Sequence, residues 1–287
     1  MLIDAHQHFW RYSPKTHGWI TDDMAKIRRD FLPADLDPEL AANEVCGTVA
    51  VQADQSEHET RFLLDLAECT NTILGVVGWV DLRAHDLCQR LEHYSQFESL
   101  VGFRHFVQAE ADDRFLLRED FLRGIAHLGR HGFTYDILIY PRQLAAAVAF
   151  VEKFPAQRFV IDHLAKPDIR GGSEFDAWRD GMRALGLHPN VYCKASGMVT
   201  EADWEHWKPT DFARYLDVVF DAFGANRVMF GSDWPVCLVA ASYAQVVGAL
   251  EEYARKLSPA DRGKVFFANA ARFYGLEMPT HGFAAQG

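Results

Sequence analysis

The sequence predicts a single parallel (β/α)8 TIM barrel with an ordered lid after its first strand, and three observations carry that prediction. Eight short apolar runs rich in β-branched and aromatic residues recur along the chain. After the first interval their starts fall about 25 to 36 residues apart, the length of one strand, loop, helix and return loop. Segments of helical apolar periodicity lie between them, so strand and helix alternate throughout. This favours a closed barrel over a doubly wound open sheet.

Taken in order, strands are expected near residues 2–8, 47–53, 74–80, 100–106, 133–139, 158–163, 191–195 and 227–232. Helices are expected over 57–69, where Phe62, Leu63, Leu66 and Ala67 share a face, and over 143–153, where Leu144, Ala147, Val148 and Val151 do. Two more, 243–256 and 264–274, close the barrel, and no second domain is expected within 1–287. The long first interval, 9–43, contains Trp10, Tyr12, Trp19 and Phe31 together with Pro14, Pro33 and Pro38. It is too aromatic for a disordered tail and too broken for one long helix. It leaves the end of the first strand where catalytic groups gather in barrels, so Trp10 and Trp19 are expected to form a substrate wall. The plainer alternative is that these rings only pack the lid down.

Composition narrows the function. The 287 residues are 49% hydrophobic, ample for a sizeable core, and carry 29 Lys plus Arg against 40 Asp plus Glu, a net charge of −11. Without a basic run to track a phosphate backbone, nucleic acid is excluded as the expected partner. The five cysteines (46, 69, 88, 193 and 237) are odd in number and never form Cys-x-x-Cys, which argues against a disulfide framework and a structural zinc site. No apolar stretch reaches the roughly 18 residues of a membrane helix, and a cytoplasmic location is expected.

The polar residues at expected strand ends define the candidate site. His6 and His8 alternate on the first strand and point the same way. The fourth strand ends in Arg104 and His105, the fifth carries Asp136, and the sixth ends in Asp162 and His163. Lys194 is on the seventh, and Asp233 with Trp234 follows the eighth. Strand alternation predicts that Asp162 points away from His163, toward the helices. Cys237, near the Asp233 turn, reads as inert packing, and the remaining histidines, His281 among them, as surface or packing residues.

These residues carry a resemblance. The stretches IDAHQHFW, GFRHF, VIDHLAKP, YCKASG and MFGSDWPV, with FANAARFYGL near the end, resemble in this order the amidohydrolase superfamily over nearly the whole chain. The match is narrower to its branch of small lactonases, and within that to the L-fuconolactonase and L-rhamnonolactonase group. The resemblance implies His6, His8, His163 and Asp233 as a set able to hold one divalent cation such as zinc. It also allows catalysis in this branch without any metal. Two-metal members use a fifth-strand histidine, and Phe133–Ile139 contains none, so a binuclear centre is not expected. Arg104 would oppose a divalent ion beside it.

The implied reaction is hydrolytic opening of a sugar-acid lactone, L-fuconolactone or a close stereochemical relative. Asp233 is expected as the base that activates water, with His163 and Arg104 polarising the carbonyl. His105, Asp136 and Lys194 are expected to orient substrate hydroxyls, and Trp10, Trp19 or Trp234 to stack on the sugar. A single well-placed arginine disfavours a pyrone-dicarboxylate lactone, unless Arg28 and Arg29 of the lid fold inward. Two other classes stay open: a zinc-dependent decarboxylase on the same barrel, and a binding barrel that does no chemistry. Oligomeric state has no signature in the sequence.

Overall fold

The computed structural model describes residues 1–277, and the alternation of strands and helices closes as expected; His281 lies outside the described residues. Eight parallel strands pair in chain order: β1 (Leu2–Gln7), β2 (Val45–Val51), β3 (Ile73–Gly78), β4 (Leu100–His105), β5 (Thr134–Ile137), β6 (Phe159–Ile161), β7 (Val191–Ala195) and β8 (Val228–Phe230). The two ends of the sheet meet where the Asp233 N–H donates to the His6 carbonyl (2.8 Å) and the His8 N–H to the Trp234 carbonyl (2.7 Å). Around the sheet run α1 (Pro33–Ala42), α2 (Glu57–Cys69), α3 (Leu87–Tyr94), α4 (Glu119–Arg130), α5 (Leu144–Val151), α6 (Phe175–Gly186), α7 (Pro209–Phe223) and α8 (Tyr243–Ala254). No helix among the described residues is long and apolar enough to cross a membrane.

Local chemistry sets these boundaries. Ser56 starts α2 by accepting the Glu59 N–H on its hydroxyl, and Ser242 caps α8 in the same way through Gln245. Pro33 stands at the start of α1, where its missing N–H costs no hydrogen bond. The expected final helix is two pieces, a π-helical stretch over Lys264–Ala268 and the α-helix Asn269–Tyr274. Tyr274 from this end seals the bottom of the barrel, packing with Ile3, Val77, Val160 and Met229.

The lid is ordered, and its last third is α1, which returns the chain to β2. Trp10 and Phe31 bond reciprocally through their backbones (both 2.9 Å), and the Trp10 indole N–H donates to the Arg29 carbonyl (2.8 Å). Trp10 is fully buried, with Trp19 and Phe31 edge-on to it at 5.8 and 5.6 Å. These contacts explain how an aromatic, proline-broken segment holds one shape.

Candidate active site

β1 does not alternate evenly. Asp4 pairs with Thr48 but Gln7 with Ala50, so β1 carries one extra residue in this interval. The bulge lets Ile3 and Ala5 pack into the barrel interior while His6 and His8 also turn inward. Gly231 makes room: a Cβ there would lie 2.7 Å from the His6 Cβ. Below them Asp4 accepts the Ser232 N–H (2.8 Å), the Ser232 hydroxyl (2.6 Å) and the Tyr243 hydroxyl (2.9 Å), fixing the turn that presents Asp233. Burial pushes the Asp4 carboxyl up to about 6, against these hydrogen bonds.

At the strand ends three side chains converge. His8 Nδ1 lies 2.7 Å from the Val51 carbonyl and must donate to it, which leaves Nε2 as a lone pair in the neutral ring. That lone pair faces Asp233 Oδ1 at 3.3 Å and His6 Nε2 at 3.2 Å, with His6 Nε2 3.9 Å from Asp233. Burial lowers the pKa of His8, so the neutral ring is the ordinary state and two acceptors meet head-on. A cation between them relieves this, and the spacing matches the edge of about 3.3 Å that four ligands around zinc define. The donor set therefore fits one small divalent cation.

His163 completes the ring around Asp233, with Nε2 3.9 Å from Oδ1 and Nδ1 2.9 Å from the Ser196 hydroxyl. Burial pulls its pKa down to about 4 despite the Asp233 and Asp162 charges, so the imidazole is neutral at physiological pH. Burial alone would raise Asp233, but the positive charge that His163, His8 and His6 carry once protonated in acid holds it well below the usual carboxylate range. The result is an ionised carboxylate among neutral imidazoles.

Beneath this ring lies a sealed charge network. Arg104 donates to Asp162 Oδ2 (3.0 Å), to the Gln52 carbonyl and toward His6 Nε2 (3.2 Å). Lys194 Nζ sits 2.6 Å from Asp136, 3.0 Å from Asp162 and 3.0 Å from His6 Nδ1. Burial pushes Asp136 up to about 6 against the pull of Lys194, while Asp162, buried too, is held well below its ordinary value by Lys194, His6 and Arg104. Because Arg104 is paired, its charge opposes a neighbouring cation less than a free guanidinium would.

Over the ring opens a cavity of about 300 Å³. His8, Arg104, His163 and Asp233 line it, and Trp19 and Met24 of the lid form one side. Several expected positions lie elsewhere. Asp162 points inward, because alternation from inward-facing Val160 brings it back, and His163 follows only by adopting a left-handed backbone (φ 53°). Asp136 and Lys194 face inward one layer too low to touch a ligand in the cavity; they support His6 and Asp162 instead. His105 alternates outward, stacks on Phe115 (4.9 Å) and bonds Glu110 (2.7 Å). Trp10 lies under the lid, as does Trp234, which the left-handed turn at Asp233 (φ 58°) directs against Phe31. Arg28 and Arg29 bond Asp22 and Asp35 and do not line the cavity. Conversely Tyr140, Lys166, Glu201 and Trp204 line its far wall and were not foreseen. Lys166 stands in the VIDHLAKP stretch, but only the backbone turn reveals where it points.

The amidohydrolase profile matches residues 3–276. The chain belongs to the amidohydrolase family. This amidohydrolase is 43% identical to an L-fucono-1,5-lactonase of Burkholderia multivorans and 39% to one of Burkholderia ambifaria, with 97% of both chains covered in each case. A crystal structure of a Burkholderia multivorans amidohydrolase with bound zinc superposes with a TM-score of 0.92 at 43% identity, covering 96% of this chain and all of the other. A crystal structure of a Pseudomonas putida protein described as a putative 2-pyrone-4,6-dicarboxylic acid hydrolase shares the fold at 19% identity (TM-score 0.75, 97% and 98% covered).

Proposed function

We propose that this amidohydrolase opens a sugar-acid lactone, L-fucono-1,5-lactone or a close stereochemical relative, to the free aldonic acid. The observation that carries the reading is the convergence of His6, His8 and His163 on the Asp233 carboxylate (3.9, 3.3 and 3.9 Å) at the floor of a cavity, in a chain so similar to two L-fucono-1,5-lactonases.

Asp233 takes a proton from water as the water oxygen attacks the lactone carbonyl carbon. His163 and Arg104 face the place where negative charge develops on the carbonyl oxygen and stabilise it. As the ring C–O bond breaks, Asp233 returns the proton to the departing ring oxygen, which leaves as a hydroxyl. Lewis acidity toward that carbonyl oxygen is what a zinc ion held by His6, His8 and Asp233 would supply. The sealed network of Lys194, Asp136 and Asp162 keeps His6 oriented during the cycle.

The charge of the cavity favours a neutral substrate. Arg104 is neutralised by Asp162 and Lys166 by Glu201, so among the described residues lining the cavity no cation is left over for the two carboxylates of a pyrone-dicarboxylate or the carboxylate of a decarboxylase substrate. A pH-indicator assay against L- and D-aldonolactones and 2-pyrone-4,6-dicarboxylate, with carbon dioxide release from dihydroxybenzoates followed alongside, tests the reading. Acid release selective for the L-fucono series is expected; turnover confined to the dicarboxylate or to decarboxylation would end it. We further infer that the protein acts in the cytoplasm, a reading its unpaired cysteines support; secretion of the expressed protein would contradict it.

A further inference from the structure

We propose that the Lys166–Glu201 ion pair is the specificity subsite of this cavity, reading a vicinal diol on the lactone ring; the inference rests on the lactonase reading above. Lys166 Nζ and Glu201 Oε1 lie 2.9 Å apart, with side chains 16% and 20% exposed, neither sealed in the core nor released to solvent. The pair lines the wall of the substrate space with both its charged ends. Its atoms offer a donor and an acceptor at hydrogen-bonding separation. Two gauche hydroxyls of a sugar ring present the same spacing, one oxygen accepting from the ammonium and its neighbour donating to the carboxylate. A ring without hydroxyls has nothing to exchange for that pair, and a carboxylate would be repelled by Glu201.

The backbone ties this pair to the reacting centre. His163, Leu164, Ala165 and Lys166 form one left-handed run (φ 53°, 54°, 56° and 50°), closed by the Lys166 N–H donating to the His163 carbonyl (2.7 Å). Such a run costs roughly 1–2 kcal/mol per residue for L-amino acids and persists where the surroundings demand it. Glu201 is held from the other side, its N–H donating to the carbonyl of Gly197 (3.3 Å), the residue that abuts the His163 ring. Both arms of the pair thus spring from residues that frame His163, fixing the distance from diol to carbonyl. Trp204, pinned by its indole N–H on the Thr200 carbonyl (2.8 Å), and Tyr140 supply aromatic faces beside the pair for the ring C–H groups.

The test compares L-fucono-1,5-lactone with δ-valerolactone, which lacks the ring hydroxyls, in wild type, Glu201→Gln, Lys166→Met and the double variant. The double variant, which removes both charges together, should keep the wild-type melting temperature within a few degrees, and the variants should lose on the order of 10- to 100-fold in kcat/KM on the sugar lactone, mostly through KM. On δ-valerolactone they should stay within about threefold of wild type, and the double variant should lose less than the product of the two single losses. Equal losses on both lactones, or none on either, would overturn the subsite. Calorimetric titration with L-fucose, a neutral ring that carries the same vicinal hydroxyls, decides independently of turnover. Should wild type open neither lactone, the lactonase reading fails, yet L-fucose binding that weakens at least about tenfold in Glu201→Gln would still support the subsite. Equal affinity, or no binding, would overturn it.

Discussion

Asp233 is proposed as the base because three imidazoles converge on its carboxylate, not because a carboxylate is rare at a strand end. Replacing it by Asn preserves the hydrogen-bonding outline but removes the proton acceptor. Asp233→Asn should lower kcat by at least about 10²- to 10⁴-fold while melting within a few degrees of wild type. A second residue-scale consequence concerns Gly197. Its φ of +65° and the His163 Nδ1 that a Cβ would meet at 2.7 Å leave no room for a side chain. Gly197→Ala should therefore displace His163, cost about 1–3 kcal/mol in chemical denaturation and depress kcat/KM with it. At this scale the sequence announced His6, His8, Arg104, His163 and Asp233, because polar residues ending apolar strands have few structural reasons to be there. It concealed Asp162 and Lys166, since nothing in HLAKP signals four consecutive left-handed residues, and alternation applied through that turn points Asp162 the wrong way.

Among the elements, β1 and α2 show how supporting structure sets the site. The β1 bulge turns two histidines toward Asp233, a device invisible to a period-two reading, although alternation did place His6 and His8 on one face. From α2, the buried Glu59 accepts the Ala53 N–H (3.1 Å), and the Ala53 carbonyl accepts the Trp19 indole N–H (3.0 Å), so one helix side chain steadies the lid edge of the cavity. Burial, helped by Asp54, pushes the Glu59 carboxyl up to about 7, against the Ala53 hydrogen bond. Below about pH 4.5 the folded and unfolded chains both hold this proton. Between about 4.5 and 7 only the unfolded chain gives it up, so Glu59 lowers stability as pH rises through that window and no further above it. Glu59→Gln keeps the acceptor without the charge. Its stability relative to wild type should rise by about 2–3 kcal/mol from pH 4.5 to pH 8. A constant difference across that range in urea melts would contradict this origin. Helix boundaries were better read than strand ends: the capping Ser56 marks α2, while β6 stops at Ile161 because the left-handed turn breaks pairing.

For the whole molecule, the barrel gathers strand ends as far apart in sequence as His6 and Asp233, 227 residues, into one ring of polar side chains, and this was legible from the repeat of strand and helix alone. What was not legible is depth: Asp136 and Lys194 face inward as residues on strand ends should, but in a layer that Asp162 and His6 cover. The ring's electrostatics also make a prediction for the intact protein. Zinc added to metal-stripped protein should raise the melting temperature, because it relieves the facing acceptors of His8 and Asp233 in the folded state only. His8→Asn should abolish most of that shift, and an equal shift in the variant would place the ion elsewhere. The central claim, that Asp233 drives water onto a neutral sugar lactone, is tested most directly by proton release from L-fucono-1,5-lactone with wild type and Asp233→Asn side by side. Saturable acid release by wild type, reduced in the variant to near the spontaneous rate, is the predicted result. Release no faster than the spontaneous rate by wild type, or undiminished release by Asp233→Asn, would contradict the account.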